Sequence, residues 1–330
     1  LRPHLLLLAL AATAAPTPSP AQVSRGPIEA RDEFLLSQSS LSLAPLSARV
    51  LGSKRTEVRL DGDWGNDFGL ETEPGGRPEN VLYFVDGEHR TAALTVRRGF
   101  GRGFSAGVRV PVHWRGGGWL DSVIDPFHSL FGFPDSGRPL YDRNRLRVVG
   151  RRTDGRPFAW TGESGAGFGS LEAEVVKSLR GGERGGPAVA AAARVQVPVG
   201  GRFGDASGVG VQLLAAQPLG GSFDLHGGFG IAALGPSSRD GIDYETRRAQ
   251  GFLAFEWRPV AAWSAIVQWE ANGRLAAGIE EFPGFQLSLR IGSKVDLGPR
   301  WRVEGGFVEG IKSLENTIDF GVFAAVQRRF

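Results

Sequence analysis

Apolar and polar residues alternate with a period of two along most of the chain, and the alternation is cleanest near its end. There Ile318, Phe320, Val322, Ala324, Val326 and Phe330 share one face, while Thr317, Asp319, Gly321, Ala325, Gln327 and Arg329 share the other. Successive side chains of a β-strand point to opposite faces, so the pattern predicts a strand with unlike surroundings on its two sides. Eleven earlier segments repeat it: Val58 to Trp64, Ala92 to Val96, Phe104 to Trp114, Leu171 to Val175, Val189 to Val197, Val209 to Ala215, Phe223 to Ile231, Leu253 to Trp257, Trp263 to Trp269, Phe285 to Ile291 and Trp301 to Phe307. Twelve strands are predicted in all.

The connections give a second, independent pattern. Residues 99–103, 180–186, 218–221, 259–262 and 298–299 are short and follow even-numbered strands, whereas 65–87, 115–166, 235–245 and 273–283 are longer and follow odd-numbered ones. An even-stranded antiparallel barrel in an outer membrane has this asymmetry, with short periplasmic turns and longer extracellular loops. The short linkers 200–206 and 312–315 fit it less well. Phe104, Phe223, Trp263 and Trp301 follow four of the short turns, where an aromatic girdle would meet the headgroups.

The less apolar faces carry Glu57, Arg59, Asp61, Arg109, His113, Gln196, Glu256, Gln268, Glu270, Arg290, Arg302 and Glu304. Facing lipid at mid-membrane, each Arg would cost roughly 2–4 kcal/mol, so these faces are assigned to a wet or salt-bridged lumen. Arg328 is the exception on the lipid face, close enough to the end of the chain to snorkel. The expected fold is therefore an all-β, transmembrane, antiparallel up-and-down β-barrel, with a short helical segment in one extracellular loop.

Composition agrees with many aromatic-rich strands joined by turns: 49 Gly, 21 Phe and 8 Trp accompany a hydrophobic fraction of only 41%. Beyond the N-terminus no apolar run reaches the about 20 residues that a membrane-spanning helix needs. Arg2 and His4, the apolar run Leu5 to Ala12 and the small residues up to Ala21 predict a signal peptide over residues 1–21. Residues 22–53 are read as a periplasmic lead-in and 54–330 as the barrel. There is no Cys, hence neither a disulfide framework nor a thiolate metal site. The formal net charge of +3 lacks the basic tracts of a nucleic-acid binder. Arg138, Arg143, Arg145, Arg147, Arg151 and Arg152 cluster in the longest loop, as a solvated face or a contact for anionic lipopolysaccharide.

The segments SARVLGSKRTEVRLDGDWGNDF, RRGFGRGFSAGVRVPVHWRGGGWLDSVIDPFHSLFGFP and the last strand resemble the uncharacterised outer-membrane β-barrel family known as domain of unknown function 3187. The resemblance runs from about Gly26 onward and is most specific between Gly117 and Pro134. It implies a barrel and supplies no activity, substrate or catalytic residue. The terminal Phe330 resembles the signal read by the barrel-assembly machinery, although Arg328 stands where Tyr or Phe is usual.

Candidate chemistry is sparse. Asp121, Asp125 and His128 would share one face of a continuous helix and could ligate a divalent metal, but Asp125-Pro126 reads better as an N-cap followed by a first helical residue. Leu120, Ile124, Phe127 and Phe131 form an apolar stripe at helical spacing, expected to fold inward as a loop plug between flanking glycines. Among His89, His113, His128 and His226 only His128 adjoins a serine, Ser129; neighbours on a helix diverge by about 100°, so no nucleophile–base pair and no enzyme is expected. No motif calls for a cofactor. The reading is an outer-membrane barrel acting as a narrow or gated pore for a small solute or hydrophobic molecule, with Arg59, Arg109, His113, Glu256, Glu270, Arg290 and Arg302 as lumen charges. The alternatives are a structural or interaction barrel, or a lipid-modifying enzyme. Its partners would be membrane lipid, lipopolysaccharide and the assembly machinery. Deleting Phe330 should lower the amount of protein assembled in outer-membrane fractions far more than deleting one residue from loop 235–245; equal assembly would refute the signal role.

Overall fold

The computed structural model describes residues 24–72, 81–122, 124, 126, 138, 141–181, 186–236, 238–279, 282, 284–312 and 317–330. Twelve antiparallel strands close into a ring: β1 (Thr56–Thr72), β2 (Val81–Gly101), β3 (Phe104–Gly116), β7 (Leu171–Arg180), β8 (Ala188–Val197), β9 (Ser207–Gly220), β10 (Phe223–Gly235), β13 (Arg247–Val260), β14 (Trp263–Gly273), β15 (Phe285–Leu297), β16 (Trp301–Lys312) and β17 (Phe320–Arg329). Closure is the pairing of the last strand with the first, from Glu57↔Arg329 to Asn66↔Phe320. All twelve coincide with the segments expected from the alternation. A closed ring leaves no strand edge unpaired, which a lipid environment requires.

The exterior is apolar: Leu60, Val108, Val209, Val211, Leu213, Phe229, Ile231 and Leu253 are all exposed, while their strand neighbours point inward and are buried or half-buried. At the short-turn end, periplasmic in such barrels, Phe223 stacks on Phe255 with centroids 5.3 Å apart and Trp257 meets Trp263 edge-on at 6.0 Å. Arg328 lies over the rings of Trp301 and Phe330, at 5.1 and 4.6 Å, so an outward charge rests on an aromatic rim.

The loop expected at 65–87 is mostly strand. Gly65, Asn66 and Asp67 are of turn-favouring types, but the β1–β2 ladder continues through Leu70↔Phe84, where the polar side chains find partners: Asn66 with Asp121, Asp67 with His89. The long connection after β3 adds to this extension. A hairpin of β4 (Arg147–Arg151) and β5 (Pro157–Ala159) pairs with β2 at Tyr83↔Gly150, and β6 (Gly165–Phe168) pairs with β3. A small hairpin, β11 (Ser238–Arg239) and β12 (Ile242–Asp243), occupies the loop after β10.

The main departure from expectation is the N-terminal segment. Residues 24–50, expected as a periplasmic lead-in, lie inside the barrel. The chain rises along the lumen from Ser24, turns at the 3-10 segment η1 (Leu35–Ser37) and descends past Leu43 to Arg49 before entering β1. Ile28, Phe34, Leu35, Leu36, Leu41, Leu43 and Leu46 are at most 5% exposed, each burial worth roughly 1.5–3 kcal/mol. Small wall residues make the room. Ala190, Ala192, Ala216 and Ala254 join Ile28, Leu46, Leu214, Phe252 and Phe323 in one apolar cluster. A Cβ on Gly210 or Gly230 would come within 2.6 or 2.7 Å of a Leu43 methyl.

Gly210→Leu should therefore push the plug away from β9 at a cost of about 1–3 kcal/mol. The expected result is a lower temperature for the gel shift of the folded barrel, with Gly284→Leu unchanged, since nothing lies within 4 Å of that Cβ position.

Candidate functional site: the occluded lumen

The plug has almost no regular structure, so its peptide groups need partners from the wall. Glutamines on four neighbouring or near-neighbouring strands supply them. Gln268 on β14 accepts the Ile28 N–H at 2.9 Å and donates to the Ile28 carbonyl at 3.0 Å, reproducing with one side chain the two bonds of a strand pair. Gln250 on β13 accepts the Leu43 N–H at 2.5 Å, Gln212 on β9 donates to the Leu43 carbonyl at 3.2 Å, and Gln196 on β8 donates to Ser39. At the upper turn Gln38 returns the favour, donating to the carbonyls of Arg90 and Trp114.

Charges form belts at successive heights. Near the short-turn end Asp296 is shared by Arg25 of the plug (2.8 Å) and Arg302 of β16 (2.6 Å). Above it Glu304 holds Arg59 and Lys294, Glu29 of the plug meets Arg97, and Arg31 of the plug meets Glu172 at 2.6 Å. Higher still Arg290 bridges Glu33 of the plug and Glu270 of the wall, both at 2.7 Å, and Arg248 reaches Asp32 at 2.8 Å. The long-loop end is capped by an apolar cluster in which Phe34 and Leu35 of the plug tip join Tyr83 of the β2 extension and Phe158, Trp160, Ile242, Tyr244 and Phe282 of the loops.

All seven lumen charges named from the sequence are buried within the barrel, Arg290 and Glu256 almost completely. Their partners are what the sequence did not disclose: several pair across to the plug. His113 bonds Thr91 at 3.1 Å and packs on Phe203. Ser24, His226 and Glu256 meet at one point, with Ser24 Oγ 3.2 Å and the carboxylate 3.1 Å from the same imidazole nitrogen. A hydrolytic relay needs the carboxylate on one nitrogen and the hydroxyl on the other, so this trio binds the plug foot rather than activating a nucleophile.

The apolar loop stripe is placed differently from its expected inward position. Leu120 and Ile124 are buried, and the Ile124 N–H bonds the Leu120 carbonyl, one helical turn; Phe127 and Phe131 lie outside the described residues. Around them the contacts are to outward-register positions of the β1–β2 extension: Glu88 accepts the N–H groups of Trp119 and Leu120, and Asn66 binds Asp121 and Arg138. The described part of the segment thus clasps the outside of the extension, and the lumen belongs to residues 24–50. Of the metal candidates, Asp125 and His128 lie outside the described residues, while the Asp121 carboxylate is engaged by Arg138, Asn66 and the Asn144 N–H. The missed plug had a signal in the sequence: five leucines between Leu35 and Leu46 in a segment with no strand partner, and alanines and glycines at lumen positions.

Fold and lumen together define an outer-membrane β-barrel with an internal plug. The chain belongs to the family described as protein of unknown function DUF3187, whose profile matches residues 4–330. No curated protein matches it. Its fold is similar to that of an outer membrane channel from Pseudomonas putida F1, at 10% identity and a TM-score of 0.59, covering 88% of this chain and 100% of that one. Looser likenesses are to the NanC porin (7% identity, TM-score 0.46, 82% and 98% covered) and to the KdgM porin in complex with disordered oligogalacturonate (6%, 0.43, 84% and 99%).

Arg290→Met should lower the temperature of barrel unfolding, because it leaves Glu33 and Glu270 buried without their shared cation, a loss of roughly 3–5 kcal/mol. Adding Glu33→Gln and Glu270→Gln should restore most of it; gel-shift midpoints of the single and triple variants provide the check.

Proposed function

We propose that the protein is a gated outer-membrane pore whose gate is its own N-terminal segment. The observation that carries this reading is that a non-covalently held length of chain, rather than side chains of the wall, fills the bore. A bore of twelve strands lies between the filled interior of about eight and the open channel of about 16–18. Removal of the plug would leave a conduit lined by Arg59, Arg109, Glu270, Arg290 and Glu304, which favours a small polar solute over a hydrophobic one. The rival reading, a structural barrel, draws support from the pairing of these same charges, which makes the closed state self-sufficient.

Conductance in planar bilayers separates the two. A variant lacking residues 24–50 that still shows the gel shift of a folded barrel should give a steady pore. The converse is a lock. Cβ of Leu41 and the Cβ position of Gly208 are 3.0 Å apart, a few tenths under the usual disulfide spacing of about 3.5–4.5 Å, and the chain has no other Cys. The Leu41→Cys/Gly208→Cys protein should stay closed when oxidised and regain the parental openings on reduction. If the shortened barrel assembles and remains impermeable, the pore reading fails and the structural one stands.

A further inference from the structure

A cavity of about 810 Å³ lies at the short-turn end of the lumen, between the feet of both plug limbs and strands β1–β3, β7 and β15–β17. Its size is in the range of about 300–1,000 Å³ typical of small-molecule sites. Its charge is lopsided: the lining includes eight Arg or Lys side chains and three Glu.

Local pairing does not remove the imbalance. Arg25 and Arg302 share the single carboxylate of Asp296, and Arg55 and Arg300 form no ion pair among the described residues. The Arg25 side chain is 2% exposed, yet its Nη1 has no hydrogen-bond partner, and the same is true of Nη1 of the more open Arg49, which reaches Asp224 only at 3.5 Å. A buried guanidinium N–H without an acceptor carries an uncompensated desolvation cost, which an anion in the cavity would relieve.

We propose that this vestibule binds a small organic anion bearing two or more carboxylate or phosphate groups, and that binding loosens the plug. Two groups are required because the cations with donors to spare sit on separate elements: Arg25 and Arg49 on the plug, Arg55 just before β1 and Arg300 just before β16. The release follows from competition. An anion held by Arg25 and Arg302 takes over the role of Asp296, one of the two carboxylates, with Glu256, that tie the foot of the rising limb to the wall. This second half rests on the gated-pore reading; the binding half does not.

The test uses the full-length protein in detergent, titrated calorimetrically with citrate, pyrophosphate and acetate. Saturable binding of citrate or pyrophosphate is expected, with acetate much weaker; tighter citrate assigns the site to polycarboxylates and tighter pyrophosphate to phosphoryl groups. Arg55→Ala/Arg300→Ala removes two cations that anchor nothing, so the barrel should keep its gel shift while affinity falls about tenfold or more. Absence of saturable binding by both citrate and pyrophosphate, or unchanged affinity in the double variant, overturns the site. Plug release is read separately, by maleimide labelling of Leu43→Cys, which the tighter-binding anion should accelerate severalfold. An unaltered labelling rate with binding intact overturns the release step alone, and neither result depends on whether the barrel lacking residues 24–50 conducts.

Discussion

Everything inside this barrel follows from one constraint: a chain segment with no strand and only one short 3-10 turn has been buried, and its peptide groups must still be hydrogen-bonded. The wall meets that demand with glutamine, the side chain that offers both an amide donor and a carbonyl acceptor. Gln268 binds both polar groups of Ile28, and Gln250 and Gln212 divide those of Leu43 between them. The plug is thus held by side chains whose groups water can replace one at a time. A plug docked as a further strand would have to break a cooperative ladder to leave.

The ion pairs serve the same arrangement. A buried pair gains little net stability after desolvation, but removing one partner is expensive, so the belts specify position more than they add strength. Arg290 between Glu33 and Glu270, and Arg31 between its wall carboxylate and Ser42, align the two limbs against each other and against the wall. The apolar contacts then fix depth: the tip at Phe34 and Leu35 is engaged by the extracellular cap, while Leu43 sits in the notch left by Gly210 and Gly230. The closed state therefore has an apolar grip at both the extracellular tip and the wall below it, and buried plug atoms without a hydrogen-bond partner at both ends, Glu33 Oε2 and Gln38 Oε1 above and Nη1 of Arg25 and Arg49 below.

The strands were legible because a membrane imposes a local rule. Every residue of a spanning strand faces either lipid or lumen, so Leu60, Val108 and Val211 outside and Arg59, Arg109 and Gln212 inside write the alternation directly into the sequence. The loop boundaries were less legible. Gly65 to Asp67 carries turn composition, yet it stays in the β1–β2 ladder, where Asp121 and His89 arrive from elsewhere to satisfy its side chains. The hairpin of β4 and β5 is likewise strand by virtue of the extended edge of β2 that it joins.

By itself the sequence determined the number of strands, their order, the face each side chain takes and the identity of the lumen charges, since all of these depend on neighbours one or two residues away. Only the tertiary structure decided what those charges touch. Ile28 and Gln268, or Glu33 and Arg290, are more than 200 positions apart in the chain, and a segment of leucines, serines and prolines with no periodicity has no local signature of where it docks. Its place in the bore depends on the shape left by Ala190, Gly210, Gly230 and Ala254 once twelve strands have closed, a complementarity that exists in space and at no single stretch of sequence.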